Sequence, residues 1–454
     1  MARRKVDSSG KTAPYLNCPE QNLLPFEESL LAKVINSPTE TFEGKVAEVS
    51  FRRLSRFVPS TTYGVFGLYR YPAKFIPQVV AYILENYAKQ GNSVLDPFAG
   101  SGTTGLVARV YGLSYELWDL NPMLDVLHKV STMAPPKLSH SDLENLIKEM
   151  SASKHRFLPS WSNISYWFPP EVLRLLERVF GWFHRLDDEK IKLLCTVPLL
   201  KVMRLFSFND PQRQKLSRSP KSMSRVAALM QGNWKQRFFG LVRQEIETVL
   251  RKLAEYQALM GRKRKKVNSV TRAGIDALEL AQTVHGEWDI LITSPPYLQA
   301  QEYIRGSKLD LFWLGYTEAD VRRLSGLEIP YRHVPPIEIH SPTYHQVHQE
   351  IDEQRLRLLF ERYFYGVLSI LTSLSSSIRL RMFLFVGPAS IRGYPIPIDQ
   401  IFAEHFENIG WEHEATLVDK IVARTLFRSH TNPATGLKDQ RMPTEHLVIL
   451  KRKR

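Results

Sequence analysis

The chain has 454 residues, 43% hydrophobic and 24% charged, the balance of a globular protein with room for a large core and two domains. No run of some 18 apolar residues occurs, so no membrane span is expected, and the polar start Met1–Asp7 has no signal-peptide core. Cys18 and Cys195 lie too far apart for a zinc knuckle or a disulfide framework, while a net charge of +15 favours a polyanionic partner.

Residues 1–60 read as an irregular N-terminal extension with one short helical run near Glu27–Val34. Tyr63–Pro77 is a proline-punctuated loop entering a helix whose apolar face is Val79, Val80, Ile83 and Leu84. A strand at Ser93–Leu95 then runs into Asp96-Pro97-Phe98-Ala99-Gly100-Ser101-Gly102-Thr103-Thr104, with a helix behind it. Such a turn lets backbone amides approach a ligand closely. No lysine stands where a triphosphate loop needs one, which excludes that reading. The next strand, Tyr115–Trp118, ends at Asp119-Leu120-Asn121-Pro122, an acid 23 positions after Asp96. A carboxylate there can accept from two ribose hydroxyls.

From 134 to 266 helical patterns dominate. One helix carries Val172, Leu175, Leu176, Val179 and Phe183 on one face; a longer one carries Phe239, Val242, Ile246, Val249, Leu253 and Tyr256. Between them a basic loop, 209–222, offers Arg213, Lys215, Arg218 and Lys221 to phosphates and base edges. Arg262–Lys266 closes the segment. The α/β pattern resumes with a strand end carrying Asp276, then a buried strand, Trp288–Thr293, that stops abruptly at Ser294-Pro295-Pro296-Tyr297. Further strands are expected at Met382–Gly387 and Glu445–Leu450. His340, His345 and His348 sit among prolines without cysteine or a carboxylate pattern; they read as surface histidines, and no metal site is expected.

Asp96–Thr104 together with Ser294–Tyr297 resembles the DNA amino-methyltransferases, and Tyr71-Pro72-Ala73-Lys74-Phe75 resembles a third cofactor motif of that family. The resemblance covers about 61–125 and 270–450. It implies a Rossmann-like class I methyltransferase, α/β with a mostly parallel twisted sheet, plus a largely helical inserted domain. The parts are an extension at 1–60, cofactor motifs at 61–133, a DNA target-recognition insertion at 134–266 and a catalytic part at 267–454. S-adenosylmethionine is the implied cofactor, held by Lys74, Phe75, Asp96, Phe98, Gly100, Gly102, Thr103, Asp119 and Asp276. In those roles Phe98, Gly100 and Gly102 line the methionine side and Asp96 orients its amino group. Asp276 accepts from the adenine amine, and Lys74 or Phe75 closes over the methionine end. A serine before Pro-Pro-Tyr implies cytosine N4 as the acceptor. The implied partners are double-stranded DNA and a cognate restriction endonuclease, with a cytoplasmic, nucleoid-associated place. The alternatives are an RNA amine methyltransferase, an adenine-N6 enzyme, or an inactive nucleic-acid-binding relative.

The residues support this chemistry on their own terms. A cytosine amine is a poor nucleophile because its lone pair is delocalised into the ring. Ser294 Oγ and the Pro295 carbonyl can accept its two hydrogens, Pro296 makes the turn rigid, and Tyr297 offers a stacking face for a flipped base. Carbon-5 methylation would need an activated cysteine, and neither cysteine sits in a suitable turn.

Overall fold

The computed structural model describes residues 43–54, 58–71, 74–213, 215–261, 267–298, 302–391, 394–420 and 444–453. The helical run expected near 27–34, Cys18, Pro72, Ala73 and the basic run 262–266 lie outside them.

Ten strands are described: β1 (Val46–Val49), β2 (Ser93–Asp96), β3 (Ser114–Asp119), β4 (Ser269–Ala273), β5 (Trp288–Thr293), β6 (Ile378–Val386), β7 (Ala389–Ile391), β8 (Tyr394–Ile396), β9 (Trp411–Lys420) and β10 (Thr444–Arg452). Eight form one sheet in the order β1-β9-β10-β6-β5-β2-β3-β4; β7 and β8 pair as a separate hairpin. Within the large sheet β10 runs antiparallel to both neighbours, while the other pairs are parallel. From β2 the chain steps outward through β3 to β4, then returns to place β5 on the other side of β2. The strand order therefore reverses between β2 and β5, and the crevice beyond their carboxyl ends is where ligands bind in such sheets. This is a Rossmann-like α/β fold with a mostly parallel sheet.

The main helices are α1 (Pro77–Tyr87), α2 (Thr103–Val110), α3 (Met123–Thr132), α4 (His140–Ala152), α5 (Pro170–His184), α6 (Glu189–Leu205), α7 (Pro220–Leu229), α8 (Trp234–Leu259), α9 (Ala277–Thr283), α10 (Tyr303–Trp313), α11 (Glu318–Gly326), α12 (Pro342–Glu350), α13 (Gln354–Ser375) and α14 (Ile398–Glu407). Strand side chains alternate between the two faces. Val94, Ile290, Ile292, Phe383 and Phe385 enter one core, and Leu95, Leu291, Met382 and Leu384 enter the other. Helices α4 to α8 are inserted between β3 and β4, and their apolar faces join the first core beside Val94 and Phe383. The insertion is thus packed onto the sheet.

Three differences from the sequence reading have physical causes. Residues 46–49 leave the irregular extension and pair with β9, because Ala47 and Val49 are buried; four residues are too few to declare a strand beforehand. In the first turns of α8 the fully buried aromatic is Phe238, while Phe239 is partly buried at the edge of the core; Phe238 lies four residues before Val242 and so shares its face. The basic loop ends early. Asn209 bridges Arg218, and Ser219 and Ser222 form a capping box that starts α7, so Lys221 lies in a helical first turn.

One buried ion pair ties the insertion to α10. Asp310 on α10 is fully buried and accepts two bonds from Arg204 Nε on α6, at 2.7 and 2.8 Å. Arg204 also donates to the Gly306 carbonyl at 2.6 Å, and the Tyr69 hydroxyl donates to Asp310 at 2.5 Å.

Candidate active site

A cavity lies at the strand-order reversal, lined by Pro97, Phe98 and Gly100 after β2, Asp119 at the end of β3, Asp276 after β4, and Ser294–Tyr297 after β5. Four sequence motifs far apart in the chain therefore open into one space because their strands are neighbours.

Gly100 has a φ of +54°, which favours glycine, and a Cβ built there would crowd Tyr71 Cε1 at 3.2 Å. Its N–H donates to Asp119 Oδ2 at 2.7 Å, and Asn121 N–H donates to Oδ1 at 2.7 Å. Each Asp119 oxygen keeps accepting capacity beyond its one backbone bond. Burial raises the Asp119 carboxyl to about 6. Asp276 caps α9 by accepting from Leu278 N–H at 3.0 Å, and its other oxygen accepts from Arg332 at 2.5 Å. Among the described residues the Ser294 hydroxyl has no protein hydrogen-bond partner. The Tyr297 hydroxyl donates to Glu445 at 3.0 Å, and burial followed by the Glu445 charge raises it well above the ordinary phenol value.

Other expected cofactor residues lie outside this lining. Asp96 is buried under the turn, where Phe98 N–H, Thr104 Oγ1 and Thr293 Oγ1 donate to it at 3.1, 2.6 and 2.6 Å. Burial raises it to about 7. It braces the turn and is not part of the cavity lining. Phe75 stacks on Phe385 in the core, with centroids 5.3 Å apart. Lys74 donates to the Phe66 carbonyl, and burial, reinforced by Lys252, lowers it to about 8. Gly102 faces Leu124 and Leu117, and Thr103 is buried in the first turn of α2. Tyr71, Asn121, Tyr303 and Glu328 were not read as site residues. Tyr71, Tyr303 and Glu328 line the cavity, and so does Asn121, whose amide donates to Tyr71 and Ser307 at 3.3 and 2.8 Å. Tyr71 and Asn121 belong to motifs already singled out; Glu328 has no local signal at all.

The four basic candidates of the insertion are unequally free. Lys215 pairs with Glu302 at 2.9 Å, and Arg213 approaches Asp210 at 3.8 Å. Arg218 lies between the Tyr166 and Phe208 rings, 4.7 and 4.4 Å from their centroids, and donates to the Tyr166 carbonyl. Lys221 is exposed. The histidines are engaged locally: His340 stacks on His405, His345 meets the Ile339 carbonyl and His348 meets Glu361. Cys195 is buried in the insertion core, where burial raises its thiol to about 12. No described helix is long and apolar enough to cross a membrane.

The fold and the paired turns define an α/β scaffold with a cavity at the strand-order reversal, and comparison with known proteins shows similarity to DNA methylases. Residues 42–122 match the family model described as DNA methylase, a stretch that contains Asp96–Thr104 and Asp119 and ends before Ser294. The chain is 26% identical over 278 residues to Type II methyltransferase M.MvaI of Kocuria varians, covering 57% of this chain and 59% of that protein. It is 24% identical over 314 residues to Type II methyltransferase M.BsoBI of Geobacillus stearothermophilus, covering 63% and 58%. Against Type II methyltransferase M.AvaI of Anabaena variabilis it is 20% identical over 404 residues, covering 81% and 83%. The chain thus spans less than two thirds of the first two relatives.

Proposed function

We propose that this chain is a site-specific DNA methyltransferase that moves a methyl group from S-adenosylmethionine to the N4 amine of a cytosine flipped out of double-stranded DNA. The observation that carries this reading is the opening of the Gly100 turn and the Ser294–Tyr297 turn into one cavity, with the Ser294 hydroxyl free to accept.

The residues fit the cofactor. Asp119 can accept from ribose hydroxyls, Asp276 faces the same cavity as an acceptor for an adenine amine, and Phe98 and Tyr71 supply apolar walls beside the Gly100 backbone. The enclosed space is about 110 Å³, below the roughly 300–1,000 Å³ of drug-sized ligand sites, so a bound nucleoside cofactor would extend through the mouth. When bound, the cofactor supplies an electrophilic methyl on a sulfonium. The protein's part is to hold the target amine. Ser294 Oγ and the Pro295 carbonyl accept its hydrogens and draw its lone pair out of conjugation, while the Tyr297 ring stacks on the base.

Recognition falls to the insertion at 134–266, with Arg213, Lys215, Arg218 and Lys221 at the DNA. The net charge of +15 supports a polyanionic substrate. The likeness to Type II methyltransferases supports a place in a restriction-modification or related defence system, in the cytoplasm at the nucleoid. Incubating the full chain with labelled cofactor and double-stranded DNA, then resolving the nucleosides by mass spectrometry, tests the reading. N4-methylcytosine is expected. N6-methyladenine would overturn the choice of base, and label only in structured RNA would overturn the choice of substrate.

A further inference from the structure

The proposed transfer leaves a proton without an acceptor. As the amine nitrogen bonds to the methyl carbon, the carbon–sulfur pair passes to sulfur, giving a neutral thioether. The nitrogen then carries a methyl group, two hydrogens and a positive charge. One of those hydrogens must leave as a proton for its bonding pair to return to the ring. Ser294 Oγ and the Pro295 carbonyl accept hydrogen bonds, but neither oxygen keeps a proton at neutral pH.

Among the described residues three carboxylates line the cavity: Asp119, Asp276 and Glu328. Asp119 holds a backbone N–H on each oxygen, and Asp276 pairs with Arg332. Glu328, in the segment after α11, differs from both. It is 5% exposed, and among the described residues no cation pairs with it. Its Oε1 accepts the Ile304 N–H, in the first turn of α10, at 2.9 Å. Nearby Glu302 is engaged by Lys215 and Arg305 at 2.9 and 3.0 Å.

Glu328 also stands at a boundary. A second, wider cavity of about 630 Å³ lies between the insertion and α10, and among the described residues Glu328 alone lines both cavities. The wider one has charged walls, with Arg305 and Lys308 among them, and the Arg305 side chain is half exposed. A carboxylate placed there can take a proton on the narrow side and release it on the wet side. Burial raises the Glu328 carboxyl to about 7, against the Ile304 and Tyr303 N–H groups, with the charges of Glu302 and Asp119 adding to the rise. A general base works best when it titrates near the working pH.

Resting on the function proposed above, we propose that the Glu328 carboxylate is the catalytic base of the transfer. It takes the proton leaving the methylated amine, directly or through one water, and returns it to solvent through the second cavity.

The test is single-turnover methyl transfer by the full chain, on DNA it methylates and at saturating S-adenosylmethionine, between about pH 5.5 and 8.5. The native rate should rise about tenfold per pH unit up to about 7 and then level off. Glu328→Gln keeps an oxygen for the Ile304 N–H but cannot take a proton. It should lose about 100-fold at pH 8, show no rise with pH, and bind S-adenosylmethionine and DNA normally. A glutamine variant with a rate near native would show a purely structural role and overturn the inference. Asp96 and Asp119 titrate at about 7 and about 6, so a rise that persists in the glutamine variant belongs to them and also overturns it. A flat native profile would do the same without depending on the folding of any variant. Those results leave DNA methylation standing; failure of the native chain to methylate any DNA would remove both readings.

Discussion

Asp119→Asn is the sharpest probe of the cofactor site. Its two oxygens each accept a backbone N–H at 2.7 Å, from Gly100 and from Asn121. An amide has one accepting oxygen, so whichever way it turns its NH2 meets one of those donors. A hydrogen bond to a charged group contributes about 1.5–3 kcal/mol, and 1.4 kcal/mol is tenfold in affinity. The dissociation constant for S-adenosylmethionine should therefore rise roughly 10- to 100-fold by calorimetry, with DNA affinity measured without cofactor unchanged. The native protein adds a pH signature. The Asp119 carboxyl titrates at about 6, and a proton occupies the lone pairs a ribose hydroxyl would use. Native affinity should thus fall toward tenfold per pH unit below about 6, and the asparagine variant should be flat there. Binding within threefold of native by the variant, or a flat native profile between pH 7 and 5, would refute the assignment.

Ser294→Ala should cut turnover strongly in single-turnover methyl transfer while cofactor affinity stays near native, since the hydroxyl is proposed to accept from the target amine; a loss confined to cofactor binding would contradict its role. Arg204→Ala leaves the buried Asp310 carboxylate without its cation and should cost about 3–5 kcal/mol in urea unfolding, whereas Arg204→Met with Asp310→Leu should recover most of it. Asp96 titrates at about 7 folded against about 3.9 unfolded, so between those values the fold binds the extra proton. Its contribution makes stability fall as pH rises from 4 to 7, and Asp96→Asn should flatten that part of the stability profile.

What the sequence made legible was whatever sits at strand ends. Gly100, Asp119, Asp276 and Ser294–Tyr297 announce themselves because glycine, proline and acids punctuate the chain where a strand stops, and parallel strands in register bring such stops to one edge. Contacts made with distant neighbours were not legible. Lys74 and Phe75 resemble a cofactor motif, yet a ring at Phe385 and a carbonyl at Phe66 claim them. Arg218 and Lys215 look like free cations until Tyr166 and Glu302 are placed beside them. The cavity lined by Trp161, Trp167, Ser217, Arg305 and Tyr331 was not legible, since its walls come from four separated segments and only one of them, the basic loop, has a pattern of its own.

Asp96 shows why proximity in the sheet matters more than the motif it heads. Thr104 Oγ1, inside α2, donates to one carboxylate oxygen, and Thr293 Oγ1, the residue before Ser294, donates to the other, both at 2.6 Å. The first bond fixes the helix that follows the glycine turn. The second crosses from β2 to β5, where the strand order reverses. One buried side chain therefore joins the turn proposed to hold the methyl donor to the turn proposed to hold the acceptor. Methyl transfer is sensitive to small errors in the approach of the two reacting atoms, because bringing them together in line is itself a large part of the rate. In the proposed reaction the acid at the head of the motif acts from beneath the site, by setting the separation of two turns nearly 200 residues apart in the chain.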